Sequence, residues 1–153
     1  MYTRDQASKI KQQFWTSFGK YMAPVLSAEG EKINWINYKT GIRHLNFKMD
    51  ATKEEAYISI EIVHKVPAYA QKLFDQFVLL KSFLALNPSY NWQWEPAGQN
   101  GNPPTISRII TKLQPCNIFN EKDWPAIISF LKPGIIWLDK FWCTHKIIFE
   151  MIA

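Results

Sequence analysis

The sequence has few of the residues from which metal centres and disulfide frameworks are built. It contains two cysteines, Cys116 and Cys143, and three histidines that are scattered along the chain. Structural zinc sites and disulfide-rich domains need such residues at close, repeated spacing. We therefore expect no metal, no cofactor and no disulfide, and a reduced, cytoplasmic protein is the simplest interpretation.

Long apolar runs are also lacking. Charged residues such as Lys81, Asp139 and Lys146 interrupt the most apolar stretches, so none is long enough to span a bilayer. The N-terminal "MYTRDQASKIKQQ" is polar and has no apolar core of the signal-peptide kind. The sequence therefore predicts no membrane partner and a single domain over residues 1–153.

Aromatic and basic residues are abundant instead. Seven Trp, ten Phe and six Tyr supply the large apolar surfaces that one core needs. The formal net charge is +5 at pH 7, which is compatible with nucleic-acid binding but is also found in many proteins without that function. Charge alone therefore leaves several classes of partner open.

Hydrophobic periodicity in the first part of the chain predicts a helix and then three strands. Thr3 and Gln6 have the spacing of a capping box, and apolar residues recur after them every three or four positions until Pro24. Alternation of apolar and polar residues predicts strands at 33–37, 42–49 and 56–63. We expect these three strands to form an antiparallel meander with one buried face.

The second part predicts a helix, two strands and a last helix in two pieces. Pro67 opens a helix at a position where its missing N–H is not needed. Segments 90–95 and 105–113 then form a hairpin around the loop "PAGQNGNPP" (96–104).

A final helix starts near Asn120 and is expected to break at Pro133-Gly134. The full order α-βββ-α-ββ-α(α) predicts an α+β fold, in which helices cover one mostly antiparallel five-stranded sheet.

Three rings alternate in "YNWQWE", where Tyr90, Trp92 and Trp94 fall on one side of an extended segment. An exposed set would stack on unpaired bases, whereas a buried set would pack against the helix that carries Phe74 and Phe77. Large exposed aromatic patches are uncommon on soluble proteins. We therefore favour burial, with the outermost tryptophan as the most accessible ring.

Several motifs resemble a known family. They are "QQFWTSF", "ISIEI", "KLFDQFVLLKS", "YNWQWE" with a downstream "SRI", and "EKDWPAIISFL". Together they resemble the uncharacterised bacterial domain-of-unknown-function family numbered 4268, from Asp5 to the end of the chain. The resemblance implies a domain often found behind a restriction-endonuclease-like domain, and hence a setting of DNA handling or phage defence. It implies no catalytic residue, because the family has no established activity.

We favour a non-enzymatic accessory domain that contacts DNA or RNA. Basic side chains would meet phosphates and an accessible tryptophan would stack on a base. The candidate residues are Arg43, Lys48, Trp92, Arg108 and Lys112.

The alternative enzymatic interpretation is a metal-dependent nuclease of the PD-(D/E)XK kind. Asp50 and Glu61 lie on neighbouring predicted strands, and two such carboxylates would hold Mg²⁺ to activate water for phosphodiester cleavage. The lysine expected two residues after the second acid is Val63 here, and Lys65 is the nearest substitute. A solvated Glu61 on an open strand face explains the same residues without a metal.

A third interpretation is a protein-interaction subunit, with the C-terminal helix as its contact surface. The apolar face of this helix is wider than one neighbouring layer requires, which is typical of a homodimer interface or of a helix wedged between layers. The residues of this face are Ile135, Leu138, Trp142, Phe149 and Ile152.

Overall fold

Helices and one antiparallel sheet make up residues 2–99 and 103–152, the part of the chain that the computed structural model describes. The predicted loop 96–104 includes residues 100–102, which lie outside this part. The elements in chain order are α1 Arg4–Met22, β1 Leu45–Ala51, β2 Ala56–Val63, α2 Pro67–Leu79, α3 Lys81–Leu84, β3 Gln93–Glu95, β4 Ile106–Leu113, a 3₁₀ turn Glu121–Asp123, and α4 Trp124–Glu150.

The sheet has four strands in the order β1-β2-β4-β3, and every neighbouring pair is antiparallel. The α+β class is therefore confirmed, while the prediction of five strands is wrong. Segment 33–37 forms a turn, because the side-chain oxygen of Asn34 accepts hydrogen bonds from the backbone N–H groups of Ile36 and Asn37. Those N–H groups are then unavailable to a strand ladder.

Other boundaries agree with the local signals in the sequence. Thr3 Oγ1 accepts from Gln6 N–H at 3.1 Å and Gln6 Oε1 accepts from Thr3 N–H at 2.9 Å, so the capping box is confirmed. Strand β2 has the predicted bounds, and α2 begins at Pro67. Capping and proline chemistry act within one turn of chain, which is why the sequence alone locates these ends.

The predicted break in the last helix is wrong, because α4 continues through Pro133. Proline removes one helical hydrogen bond, and in an isolated helix this is enough to end it. Here Leu131 and Ile135 on either side of the proline are fully buried. Burial of apolar residues before and after the proline stabilises both halves of α4 as one continuous helix.

Gly134 lets α4 lie directly against the sheet. A Cβ atom built at this position would overlap the side chain of Ile58 on β2 and lie 2.9 Å from Cε1 of Tyr90. The Tyr90 hydroxyl also donates to the carbonyl of Phe130 on α4 at 2.7 Å. The missing side chain therefore sets how closely the longest helix approaches the central strand.

Ring contacts show that the helices collect on one face of the sheet. Phe47 of β1 contacts Trp142 of α4 with ring centroids 5.3 Å apart. Phe74 of α2 stacks on Trp94 of β3 with centroids 6.0 Å apart. Helix α1 packs further out, against the start of α4. The structure thus has two layers, with the core between the sheet and the helices.

The apolar face of α4 is buried in the core of the protein. Ile135, Leu138, Trp142 and Phe149 are all buried, and the exposed apolar side chains near this end of the helix are Ile147 and Met151. The width of the face is thus explained by a helix wedged between several neighbours. A homodimer through this helix stays a prediction.

The irregular segment 23–44 is fastened to α4 by a buried carboxylate. Asp139, which is 5% exposed, accepts hydrogen bonds from Ala28 N–H at 2.7 Å and from the Tyr38 hydroxyl at 2.6 Å. Burial and the hydrogen bond to Asp139 raise the pKa of Tyr38, so the phenol keeps its proton and remains a donor. Both carboxylate oxygens are therefore engaged in holding the segment.

We predict that Gly134→Ala destabilises the protein although alanine is the better helix former. Overpacking of a filled contact costs about 1–3 kcal/mol, which exceeds the gain of about 1 kcal/mol in helix propensity. Gly19→Ala in α1 is the matched control, because its added Cβ would meet Ile36 Cδ1 at an ordinary 3.6 Å. Urea unfolding of the two variants should shift in opposite directions, and equal stabilisation would contradict the close contact.

We predict that Asp139→Ala lowers the free energy of unfolding by about 3 kcal/mol, because two hydrogen bonds to a charged group are lost. Tyr38→Phe removes one of these bonds and should cost about half as much. Chemical denaturation followed by fluorescence measures both values. Values near zero for both variants would show that the carboxylate does not hold the segment.

Candidate functional site

The face of the sheet opposite the helices is polar, and we call it the open face. Antiparallel pairing aligns its residues in rows across the strands, since alternate side chains of a strand point the same way. The residues of the open face are Asn46, Lys48, Asp50, Tyr57, Ser59, Glu61, Val63, Ile106, Arg108, Ile110, Lys112, Gln93 and Glu95.

A buried glutamate lies at the centre of the open face between two cations. Glu61 is 6% exposed, with Lys48 Nζ at 3.3 Å from one carboxylate oxygen and Arg108 Nε at 3.8 Å from the other. Lys112 pairs separately with Glu55 at 3.6 Å. Three of the predicted basic residues therefore share one surface, and each has an acidic neighbour.

Tyr57 is the aromatic residue of this face, and it was missed among the candidates. It pairs with Asp50 on one side and with Lys112 on the other, and its side chain is partly buried. Burial raises its pKa, helped by the nearby carboxylates of Asp50 and Glu61, so the phenol stays neutral. The alternation in "AYISIEIV" already placed Tyr57 with Glu61, which was a usable signal.

The other two predicted nucleic-acid residues lie elsewhere. Arg43 precedes β1 and lines a depression with Tyr69 and Glu150 at the ends of α2 and α4. Trp92 is 8% exposed and Tyr90 is 6% exposed, so their burial is confirmed. Trp92 cannot offer a ring face to a base in this arrangement, and the partly exposed ring of the set is Trp94.

The register keeps the two carboxylates of the nuclease interpretation apart. Asp50 pairs with Tyr57, and Glu61 lies four residues further along β2. Four strand residues span about 13 Å, whereas two ligands of one Mg²⁺ lie about 2.1 Å from the ion. Lys65 is exposed in the turn after β2. The structure thus does not bring Asp50, Glu61 and Lys65 together as a catalytic site.

Two further observations concern metals and membranes. Within residues 2–99 and 103–152, no group of three or more His, Cys, Asp or Glu side chains is placed to hold a metal ion. None of the helices over the same residues is long and apolar enough to cross a membrane.

A second surface feature is a groove of 660 Å³ between α2 and the end of the β3–β4 hairpin, which we call the hairpin groove. Its walls include Phe74, Lys81 and Trp94, and its floor includes His64 and Ser107. The sequence did not connect His64 with Ser107, because His64 follows β2 and Ser107 lies on β4, more than 40 residues away.

The floor of the hairpin groove is held by hydrogen bonds. His64 Nε2 and Ser107 Oγ lie 2.6 Å apart, and Ala97 N–H donates to Ser107 Oγ at 3.2 Å. The backbone N–H of His64 donates to the carbonyl of Thr105 at 2.7 Å. Burial lowers the pKa of His64, so the ring is neutral at pH 7, with one nitrogen as donor and the other as acceptor.

Comparison with known families gives a match for this two-layer α+β chain. Residues 10–146 match the family described as Domain of unknown function (DUF4268). The chain belongs to this family, which confirms the resemblance drawn from the motifs. Comparison with curated proteins and with solved structures gave no match. The association with restriction-endonuclease-like domains stays a prediction.

We predict that His64 makes the protein less stable in mild acid. Its pKa is lower in the folded state than in the unfolded chain, so the unfolded state takes up the proton first. The stability that the neutral ring contributes is complete above about pH 6.5 and is lost as the pH falls below that value.

The measurement compares His64→Gln with its parent, both carrying His145→Gln, because burial lowers the pKa of His145 as well. Unfolding in urea between about pH 7.5 and pH 5 should show a smaller acid loss for His64→Gln. An identical pH dependence in the two proteins would contradict this assignment.

Proposed function

We propose that the domain binds single-stranded nucleic acid on the open face of its sheet. The observation that supports this most directly is that Lys48, Arg108 and Lys112 share this face with the ring of Tyr57. Single strands are bound by sheets that combine cations for the phosphates with aromatic rings for the bases. The proposal gives the domain an accessory binding role and no catalytic step.

The spacing of the cations suits a chain of phosphates. Arg108 and Lys112 lie four residues apart on β4, which corresponds to about 13 Å. Lys48 pairs with Ser59, which pairs with Ile110, so it lies two strands from the midpoint between them, about 10 Å away. The backbone positions of the three residues therefore form a triangle, and a flexible strand meets more than one corner at a time.

Glu61 tunes this surface. Its carboxylate neutralises part of the charge of Lys48 and Arg108, whose side chains it holds at 3.3 and 3.8 Å. A phosphate that approaches the open face competes with Glu61 for the same donors, and this limits the affinity. Ionic strength weakens both interactions, but it weakens phosphate binding more because bound counterions are released.

We predict that the protein binds a fluorescent single-stranded oligonucleotide at low salt, measured by anisotropy, and that binding weakens steeply as salt is raised. Lys48→Ala combined with Lys112→Ala should lower the slope of log K against log salt by about 1.4 units, because two phosphate contacts are lost at about 0.7 each. Lys9→Ala combined with Lys20→Ala removes the same charge from α1 and is the matched control. A double-stranded oligonucleotide should bind more weakly, since its bases are not accessible to Tyr57.

Glu61→Gln provides the opposite test. The amide keeps the size of the side chain and removes the competing charge, so binding should become tighter. A nuclease that used Glu61 would lose activity in the same variant, so the two interpretations predict opposite outcomes. Absence of binding by the unmodified protein at low salt, or an equal effect of the control pair on α1, would overturn the proposal.

A further inference from the structure

The hairpin groove contains a partly exposed tryptophan ring and a cation that lie against each other. The Nζ atom of Lys81 lies 4.7 Å from the centre of the Trp94 ring. Trp94 is partly exposed and stacks on Phe74 with ring planes 14° apart. A ring fixed in this way loses little conformational freedom when a ligand contacts its exposed part.

Lys81 supplies the positive charge beside Trp94 in the hairpin groove. Among residues 2–99 and 103–152, no carboxylate lies within 4.0 Å of its ammonium group, in contrast to Lys48 and Lys112 on the open face. The nearest acid in the lining, Asp75, accepts a hydrogen bond from Gln71 Nε2 at 2.8 Å. The ammonium group therefore has its charge available for an anion.

Polar groups line the rest of the hairpin groove. Gln71 and Asp75 form an exposed amide and carboxylate pair on α2, and His64 lies at the floor beside Ser107. Amide and carboxylate groups match the donors and acceptors on the edge of a nucleobase. The volume of 660 Å³ is within the range of small-ligand sites.

We infer that the hairpin groove binds one nucleotide, with its base against Trp94 and its phosphate at Lys81. The same chemistry comes from a free nucleoside monophosphate or from the phosphorylated end of a strand. The inference does not depend on the open face, because Lys81 lies on α3 and the Trp94 side chain points from the sheet towards the helices. It explains why a cation that pairs with no carboxylate among residues 2–99 and 103–152 lies over a partly exposed ring.

Isothermal titration calorimetry with adenosine 5′-monophosphate tests the inference. Adenosine, which lacks the phosphate, and inorganic phosphate, which lacks the nucleoside, are the comparison ligands. The monophosphate should bind at least about tenfold more tightly than either, because each lacks an interaction with Trp94 or with Lys81. Lys81→Ala should weaken the monophosphate about tenfold and should not weaken adenosine. Trp94→Leu should weaken both the monophosphate and adenosine.

Two controls separate this site from the open face. Lys48→Ala combined with Lys112→Ala should leave binding of the monophosphate unchanged, and Lys81→Ala should leave the salt dependence of an unphosphorylated oligonucleotide unchanged. An oligonucleotide with a 5′-phosphate should lose affinity in Lys81→Ala if the strand end is the ligand. Retention of that affinity together with a loss for the monophosphate identifies the free nucleotide.

No heat of binding with millimolar monophosphate would overturn the inference. Equal binding of the monophosphate to the unmodified protein and to Lys81→Ala would overturn it as well. Lys81 is exposed, so this variant keeps the fold and remains informative even where Trp94→Leu is unstable. Either negative result leaves binding on the open face to be judged by its own titration.

Discussion

The contact between α4 and β2 at Gly134 is the constraint on which the rest of the structure depends. Helix α4 extends from Trp124 to Glu150 and contacts the sheet, α1, α3 and the irregular segment. Its approach at Gly134 determines how deeply Tyr90 is inserted between helix and sheet. That insertion in turn places the β3–β4 hairpin, and with it both the outer strand of the open face and one wall of the hairpin groove.

The two candidate surfaces use opposite sides of one hairpin. Gln93 and Glu95 belong to the open face, whereas Trp94 between them points to the helices and stacks on Phe74. The electrostatics differ as well. On the open face each cation has an acidic neighbour, which favours weak, salt-sensitive contacts with an extended polyanion. In the hairpin groove Lys81 lies over a ring, and no carboxylate of the described part of the chain pairs with it, which favours one compact anion with a planar group.

Local signals in the sequence predicted the elements that depend on local chemistry. The capping box at Thr3, the proline that opens α2 and the alternation of β2 each act within a few residues, and each was located correctly. Segment 33–37 has a strand-like alternation, but the side chain of Asn34 captures two backbone N–H groups and turns the chain. The continuity of α4 through Pro133 depends on burial against distant elements, which periodicity does not show.

For the candidate site as well, the sequence predicted the features that depend on local alternation and not those that depend on packing. Period-two alternation placed Lys48, Arg108 and Lys112 on polar strand faces, and pairing brought these faces together. The separation of Asp50 from Glu61 depends on the register, which is set by turn geometry and not by either residue. The relation of Lys81 to Trp94 depends on where α2 and α3 lie against the hairpin. Such placements follow from tertiary packing, and they cannot be predicted from the pattern of a single sequence.

The way in which segment 23–44 is attached has a consequence for how the molecule opens. It contributes no strand to the ladder, and it is joined to α4 through side chains, including Asp139 with Tyr38 and Trp142 with Thr40. Side-chain attachments of this kind release as a unit, at a lower free energy than a hydrogen-bonded sheet. We therefore expect native-state proteolysis to cut segment 23–44 first and to leave the sheet and its helices folded as one cooperative unit.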